Sequence, residues 1–192
     1  MLKVAVTGNI ASGKSEVQKI LEEKGYKVLD TDKVGHEILR LSPAIKALFA
    51  EYDVFDSTGN ISREKLGNLV FLNPELKLKL EEVSHPLIKE RIKAFFEGNK
   101  SEIVVFAAIP LLFEANMQDM FDKIVLVYSD DNIRKTRLIK RNNYSSSMAQ
   151  IRIDSQIPQE EKKSLCDCVI FNNSTINELE SEVNRMLNEL FQ

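Results

Sequence analysis

Eight residues near the amino end carry the most chemical information. Gly8-Asn9-Ile10-Ala11-Ser12-Gly13-Lys14-Ser15 fits G-x-x-x-x-G-K-[ST], the phosphate-cradling P-loop. Backbone N–H groups in such a turn point inward, and the helix that follows adds unpaired donors and the positive end of its dipole. Anionic oxygens are the natural guests. Gly8 and Gly13 are read as supplying backbone angles that a Cβ would obstruct, Lys14 as reaching the β- and γ-phosphates, and Ser15 as a hydroxyl ligand for Mg²⁺.

Two further groupings could complete such a site. Asp30-Thr31-Asp32 closes an apolar run, so two carboxylates leave one strand end together, at the sheet edge where ligands of open α/β sheets bind. Asp32 there is either the N-cap of the next helix or the acceptor of a proton from an attacking hydroxyl, and the two roles are compatible. Arg134, Arg137 and Arg141, spaced i, i+3, i+7, share one helical face. They belong to a segment, residues 134–163, that holds eight Lys or Arg against three acids in a chain of net charge −3. A solvated face is the plain explanation; neutralising a transferring phosphoryl group is the chemical one.

Those residues need a frame. Leu2–Thr7 reads as a short buried strand, residues 16–23 as the helix after the turn, and 26–29 as a second strand. Residues 103–106, 123–128 and 167–171 are further β-prone runs, apolar enough for strands covered on both faces. Ser129-Asp130 and Thr175-Ile176-Asn177-Glu178 mark helix starts, as do Ser42-Pro43 and Asn73-Pro74 within a mostly helical stretch. Strands alternating with helices predict a three-layer α/β sandwich on a five-stranded parallel sheet with right-handed crossovers. Residues 33–98 read as a helical insertion within a single domain of residues 1–192, because a lone crossover helix does not need so many residues.

Composition narrows the field further. No run approaches the ~20 apolar residues that span a bilayer, so a cytoplasmic protein is expected, and a pI of about 5.6 disfavours general nucleic-acid binding. Cys166 and Cys168 lie far in sequence from His36 and His85, which disfavours zinc, and are read as one core and one outward-facing residue. Two fragments suggest a GTPase and fail in context. Asp56-Ser57-Thr58-Gly59 sits in a polar loop rather than after a strand, and Asn99-Lys100-Ser101-Glu102 precedes a strand and ends in Glu. No acid follows the third strand, which runs into Ile109-Pro110, so the metal is left to Ser15, phosphate oxygens and water.

In order along the chain, Thr7 through Ser15, Val28-Leu29-Asp30-Thr31-Asp32, Ser62-Arg63-Glu64-Lys65-Leu66, His85-Pro86-Leu87-Ile88 and Ile109-Pro110-Leu111-Leu112-Phe113-Glu114 form a pattern. Arg137-Leu138-Ile139-Lys140-Arg141, Arg152-Ile153-Asp154-Ser155-Gln156 and residues 167–173 continue it. The set resembles the dephospho-CoA kinase family over nearly the whole chain. The resemblance implies a P-loop kinase fold with a helical substrate-binding insertion and a basic lid over residues 137–163. It further implies ATP-dependent phosphorylation of the ribose 3′-hydroxyl of dephospho-CoA, the last step of coenzyme A synthesis. By the same resemblance Asp32 is the catalytic base, assisted by Lys14, Arg137 and Arg141, while residues 8–15, Arg141, Asn172 and Asn173 hold ATP. Asp32, Arg63, His85, Pro86, Pro110, Leu111 and Arg152 contact the acceptor, and residues 144–147 offer the lid a hinge. His85-Pro86 read alone is equally a helix junction. Glu16, Thr31 and Cys166 depart from the family pattern without removing a chemical group. Rival readings are another small-molecule or nucleoside monophosphate kinase and a non-catalytic ATP-binding regulator.

Overall fold

Val4 and Val6 face one side of the first strand and Ala5 the other, and all three are buried, which a strand achieves only when both sheet faces are covered. The computed structural model describes residues 1–191. Along the chain run β1 (Leu2–Thr7), α1 (Lys14–Glu23), β2 (Lys27–Asp30), α2 (Thr31–Leu41), α3 (Pro43–Leu48), α4 (Arg63–Leu72) and α5 (Pro74–Gly98). Then follow β3 (Val104–Ala108), β4 (Lys123–Tyr128), α6 (Asp131–Asn142), α7 (Ser146–Asp154), α8 (Gln159–Lys163), β5 (Cys168–Phe171) and α9 (Ile176–Leu190). The chain divides into two units, one of residues 1–30 with the chain from Gly98 onward, the other Thr31–Glu97.

The first unit is built on a parallel sheet in the order β2-β3-β1-β4-β5. Val4, Val6, Val104, Phe106, Val125, Val127, Cys168 and Ile170 form one apolar face. Val17, Ile20 and Leu21 of α1 and Leu179, Val183, Met186 and Leu187 of α9 cover it. Each such side chain contributes roughly 1.5–3 kcal/mol by leaving water. Tyr26 meets Phe106 edge-on at 5.4 Å. On the opposite face Ala5, Ala107 and Leu126 are buried, and α8 lies against β4. All five strands begin or end within two residues of the sequence-based limits. β3 continues two residues further, through Ala107 and Ala108, whose small side chains lower β propensity while their backbone still pairs with Ala5 and Val6.

The structure bears out some local readings and changes others. The α1 helix ends in a Schellman turn, with Tyr26 N–H on the Leu21 carbonyl at 3.1 Å and Gly25 N–H on the Glu22 carbonyl at 2.9 Å. Asp32 is not an N-cap: α2 starts at Thr31 directly after β2, and Asp32 lies inside its first turn, exposed. Asp130 holds the N-cap place of α6 without a side-chain cap bond, because its carboxylate accepts from Asn173 Nδ2 at 2.9 Å. The expected hinge is a short capped turn: Asn143 takes the left-handed conformation (φ 53°), and Ser145 caps α7 by accepting from Met148 N–H at 3.1 Å. Tyr144 packs on Leu138, Ala149 and Ile153. Cys168 is buried and Cys166 half-buried. Burial pushes their thiols up to about 11 and about 12, so both stay protonated at neutral pH.

The second unit has its own core of Ile38, Ile45, Phe49, Val54, Ile61 and Leu66. Ser42 and Ser62 cap α3 and α4, their hydroxyls accepting from Ile45 and Lys65 N–H. Asp56 Oδ1 accepts from Thr58 N–H, Thr58 Oγ1 and Asn60 N–H, so the residues resembling a GTPase motif are a turn tied by an aspartate between Phe55 and Ile61. His85-Pro86 is no helix junction. α5 runs unbroken through Pro86, and Val83, Leu87 and Ile88 on either side pack on the same core, which holds the two halves in line despite the missing N–H. No described helix is long and apolar enough to cross a membrane.

Ile170→Ala empties a position covered by α9 and is expected to cost about 2–5 kcal/mol. Thr175→Ala removes only the cap that accepts Glu178 N–H and is expected to cost about 1 kcal/mol. Urea unfolding midpoints of the two variants measure this; equal losses would contradict the assignment of the main core to this sheet face.

Candidate active site

The parallel register brings the carboxyl ends of all five strands to one edge, and the loop after β1 turns there. Its path is set by close approach and by two left-handed residues. A Cβ on Gly8 would fall 2.5 Å from Ser12 Oγ and 2.7 Å from the Val127 carbonyl, so Gly8 is required for space; the unusual angles belong instead to Ala11 (φ 62°) and Gly13 (φ 95°). Ser12 N–H donates to the Asn9 carbonyl at 3.0 Å and closes the turn. Gly13 then serves as N-cap of α1, its carbonyl accepting from Glu16 and Val17 N–H at 3.0 and 3.3 Å. A Cβ on Gly13 would collide with Asn172 Nδ2.

Three successive carbonyls of the turn are held from outside. Ile10 C=O accepts from Arg134 Nε at 3.0 Å, and Ala11 C=O from Arg137 Nη1 at 3.4 Å. Ser12 C=O accepts from the same Nη1 at 3.4 Å and from Asn172 Nδ2 at 2.8 Å. Arg137 also donates to Ser129 Oγ at 3.0 Å and through Nη2 to the Asn172 carbonyl at 3.0 Å. Burial draws both guanidinium pKa values below the ordinary arginine value, yet arginine stays charged at neutral pH. On the other side Ile10 N–H donates to Gln156 Oε1 at 2.7 Å, and Asn9 Nδ2 to the Ile157 carbonyl at 2.9 Å.

This cradle fits a polyphosphate. Lys14 and exposed Ser15 open α1, where the first amides have no partner within the helix, and two cationic side chains lie behind the turn. Thr7 Oγ1 and Ser12 Oγ flank it as buried hydroxyls with no hydrogen-bond partner. A neighbouring cavity of about 670 Å³ suits phosphate poorly, being lined by Asp130, Asp131, Asp154 and Glu160 with Arg134 as its cation. Tyr128 donates to Glu160 there at 2.8 Å, and that bond pushes the phenol up to about 12.

Of the residues singled out from sequence, the turn, Arg137 and Asn172 form one connected group. Asn173 is turned to Asp130, accepting its N–H at 2.8 Å. Arg141 is exposed at the end of α6, Arg152 half-buried on α7, and Pro110 and Leu111 follow β3, whose sheet is extended by Ile109 N–H on the Val6 carbonyl at 2.9 Å. Lys162, fully buried, reaches Glu114 Oε1 at 2.7 Å and ties α8 to this segment. In the second unit, Arg63 opens α4, exposed, and His85 is half-buried in mid-α5, its imidazole pKa lowered by burial. Asp32 stands two residues past Asp30, the last residue of β2. The sequence reading missed Gln156, Gln159 and Lys162 as contacts, and gave Arg134 no role of its own. Only the i, i+3 spacing of Arg134 and Arg137 signalled the latter.

Comparison with known proteins agrees with this architecture. A family model described as dephospho-CoA kinase matches residues 2–178. A dephospho-CoA kinase of Enterococcus faecalis is 37% identical, with 98% of each chain covered, and one of Fusobacterium nucleatum is 36% identical, with 95% of each covered. The solved structure of a dephospho-CoA kinase from Campylobacter jejuni superposes with a TM-score of 0.74 at 29% identity, covering 98% of this chain and 96% of the other. The chain belongs to the dephospho-CoA kinase family.

Proposed function

We propose that this chain transfers the γ-phosphoryl group of ATP to the ribose 3′-hydroxyl of dephospho-CoA, giving coenzyme A and ADP, in the cytoplasm. The carrying observation is the turn at residues 8–15, whose carbonyls are held from behind by Arg134, Arg137 and Asn172, within a chain of this family. Donors held in place before substrate arrives stabilise charge without having to reorganise. Lys14 contacts the β- and γ-phosphates, and Asp32 accepts the proton that the 3′-hydroxyl loses as its oxygen attacks phosphorus. Arg141 and Arg152, on the helices spanning residues 137–163, neutralise the equatorial oxygens and limit water access. Arg137 assists through the turn it braces. Asn172 and Asn173 border the adenine of ATP, while Arg63, His85, Pro86, Pro110 and Leu111 border the acceptor.

Mg²⁺ fits as a companion of the triphosphate, with Ser15 Oγ at the exposed start of α1 as the protein's ligand; when bound it offsets the charge of the phosphate oxygens.

Incubation with MgATP and dephospho-CoA, alongside a panel of nucleoside monophosphates, should add the mass of one phosphate to dephospho-CoA alone; phosphorylation confined to the panel would overturn the assignment. Asp32→Asn should leave ATP affinity within a few-fold and lower turnover by roughly 10²–10⁴, the usual weight of a general base, and an unaltered kcat removes Asp32 from that role. Lys14→Ala should abolish the mass gain on dephospho-CoA in the same incubation, and full activity would refute its contact with phosphate.

A further inference from the structure

We propose that Arg134, together with Gln156, is a positioning residue for phosphoryl transfer: the pair clamps Ile10 at its carbonyl and its amide and so aims the amides that grip the triphosphate. The proposal rests on the ATP-binding reading above. Ile10 is the residue of the turn held by a side chain at both backbone groups, by Gln156 Oε1 at 2.7 Å and by Arg134 Nε at 3.0 Å.

The consequence is geometric. In a planar trans peptide the C=O and the following N–H point opposite ways, so drawing Ile10 C=O toward α6 sends Ala11 N–H the other way. Ser12 C=O, held by Asn172 and Arg137, does the same for Gly13 N–H. Between these planes Ala11 sits at φ 62°, a region that costs a residue with a Cβ about 1–2 kcal/mol and persists only where the surroundings impose it. The Arg134 contact imposes it. It also polarises the peptide, since a carbonyl bonded to a cation makes the N–H on the same peptide a stronger donor.

Stability does not explain Arg134. It is 1% exposed, its Nη2 has no hydrogen-bond partner, and its ion partner Asp131 is largely in solvent, an arrangement that an apolar side chain of similar volume often betters. Its aim, by contrast, is closely controlled. Asp131 Oδ1 accepts from Arg134 Nη1 at 2.8 Å and from Gln159 Nε2 at 2.9 Å, and the same Nε2 donates to the Ser129 carbonyl at 3.0 Å. Gln156 lies in the short link between α7 and α8 and Gln159 opens α8, and the link also receives Asn9 Nδ2 at Ile157. The guanidinium fork serves Ile10 and Asp131 at once; a lysine ammonium, a single point on a flexible stem, does not hold both directions.

The test uses the full chain with Arg134→Lys and Gln156→Leu. Calorimetric affinities for ATP and for inorganic tripolyphosphate are measured beside KM for ATP, KM for dephospho-CoA and the melting temperature. Arg134→Lys should weaken ATP and tripolyphosphate about 10-fold or more, the weight of a charge-assisted bond, and Gln156→Leu about 5-fold, the weight of a neutral one, while KM for dephospho-CoA stays within about two-fold. A merely structural part would lower the melting temperature and the active fraction and leave both KM values alone, and that result overturns the clamp. So does unchanged tripolyphosphate affinity in folded variants. If Arg134→Lys does not fold, Gln156→Leu at its half-buried position decides alone. Wild-type protein that neither binds ATP nor phosphorylates dephospho-CoA would sink the functional reading and the clamp together, whereas active wild type with unaffected variants sinks only the clamp.

Discussion

A backbone turn that offers its N–H groups to an anion must point its carbonyls the opposite way, and those carbonyls need donors of their own. Much of the first unit is arranged around that requirement. The carbonyls of Ile10, Ala11 and Ser12 are met by Arg134, Arg137 and Asn172, which come from α6 and from the end of β5. The strand order follows the same need. With β4 beside β1 and β5 next, the segments after those strands reach the back of the turn, and a chain of net charge −3 gathers arginines on one helix there. The cations do two things at once: they satisfy backbone oxygens and place positive potential beneath an anion site.

Most of the frame could be read from pattern. Buried parallel strands are short continuous apolar runs, and caps such as Ser42, Ser62 and Thr175 announce themselves by type and position. The turn at residues 8–15 was legible because its glycines and lysine stand at fixed spacing. What pattern could not give was direction. Arg134 and Arg137 share a helical face whether that face meets water or carbonyls, and the choice depends on β1 and β4 being neighbours, a long-range fact. Gly8 was credited with an unusual angle, whereas the left-handed angle falls on Ala11, because the limit at Gly8 is the proximity of Val127 on another strand.

The readings that changed share a cause. Asp32 and Pro86 each carry a strong local signal for a helix boundary that a neighbour outweighs, whereas Asp130 keeps its place at the start of α6 and loses only the side-chain cap bond. β2 passes straight into α2, so Asp32 enters the helix; Asn173 takes the Asp130 carboxylate; apolar side chains on both sides of Pro86 keep α5 in line. Local propensities here are worth about 1 kcal/mol for a cap and about 3 for a proline, within reach of a few packed side chains. Lys162, which the sequence places only among the basic residues of 134–163, is fully buried and reaches Glu114, in the segment after β3, at 2.7 Å.

Charge is segregated on a fine scale around the turn, and that segregation bears on specificity. Asp131 restrains Arg134 through one oxygen on the α6 side, where Asp130, Asp154 and Glu160 line the adjoining cavity. A phosphate entering that cavity meets carboxylates, and a phosphate at the turn meets amides backed by guanidinium groups. Two unit charges 4 Å apart interact by about 4 kcal/mol at an effective dielectric of 20, so displacement by a single side-chain length reverses the sign of a large energy. The acids thus sharpen a basic site: Asp131 holds Arg134 in line with the Ile10 carbonyl, and Asp130, Asp154 and Glu160 make the neighbouring space repel the same anion.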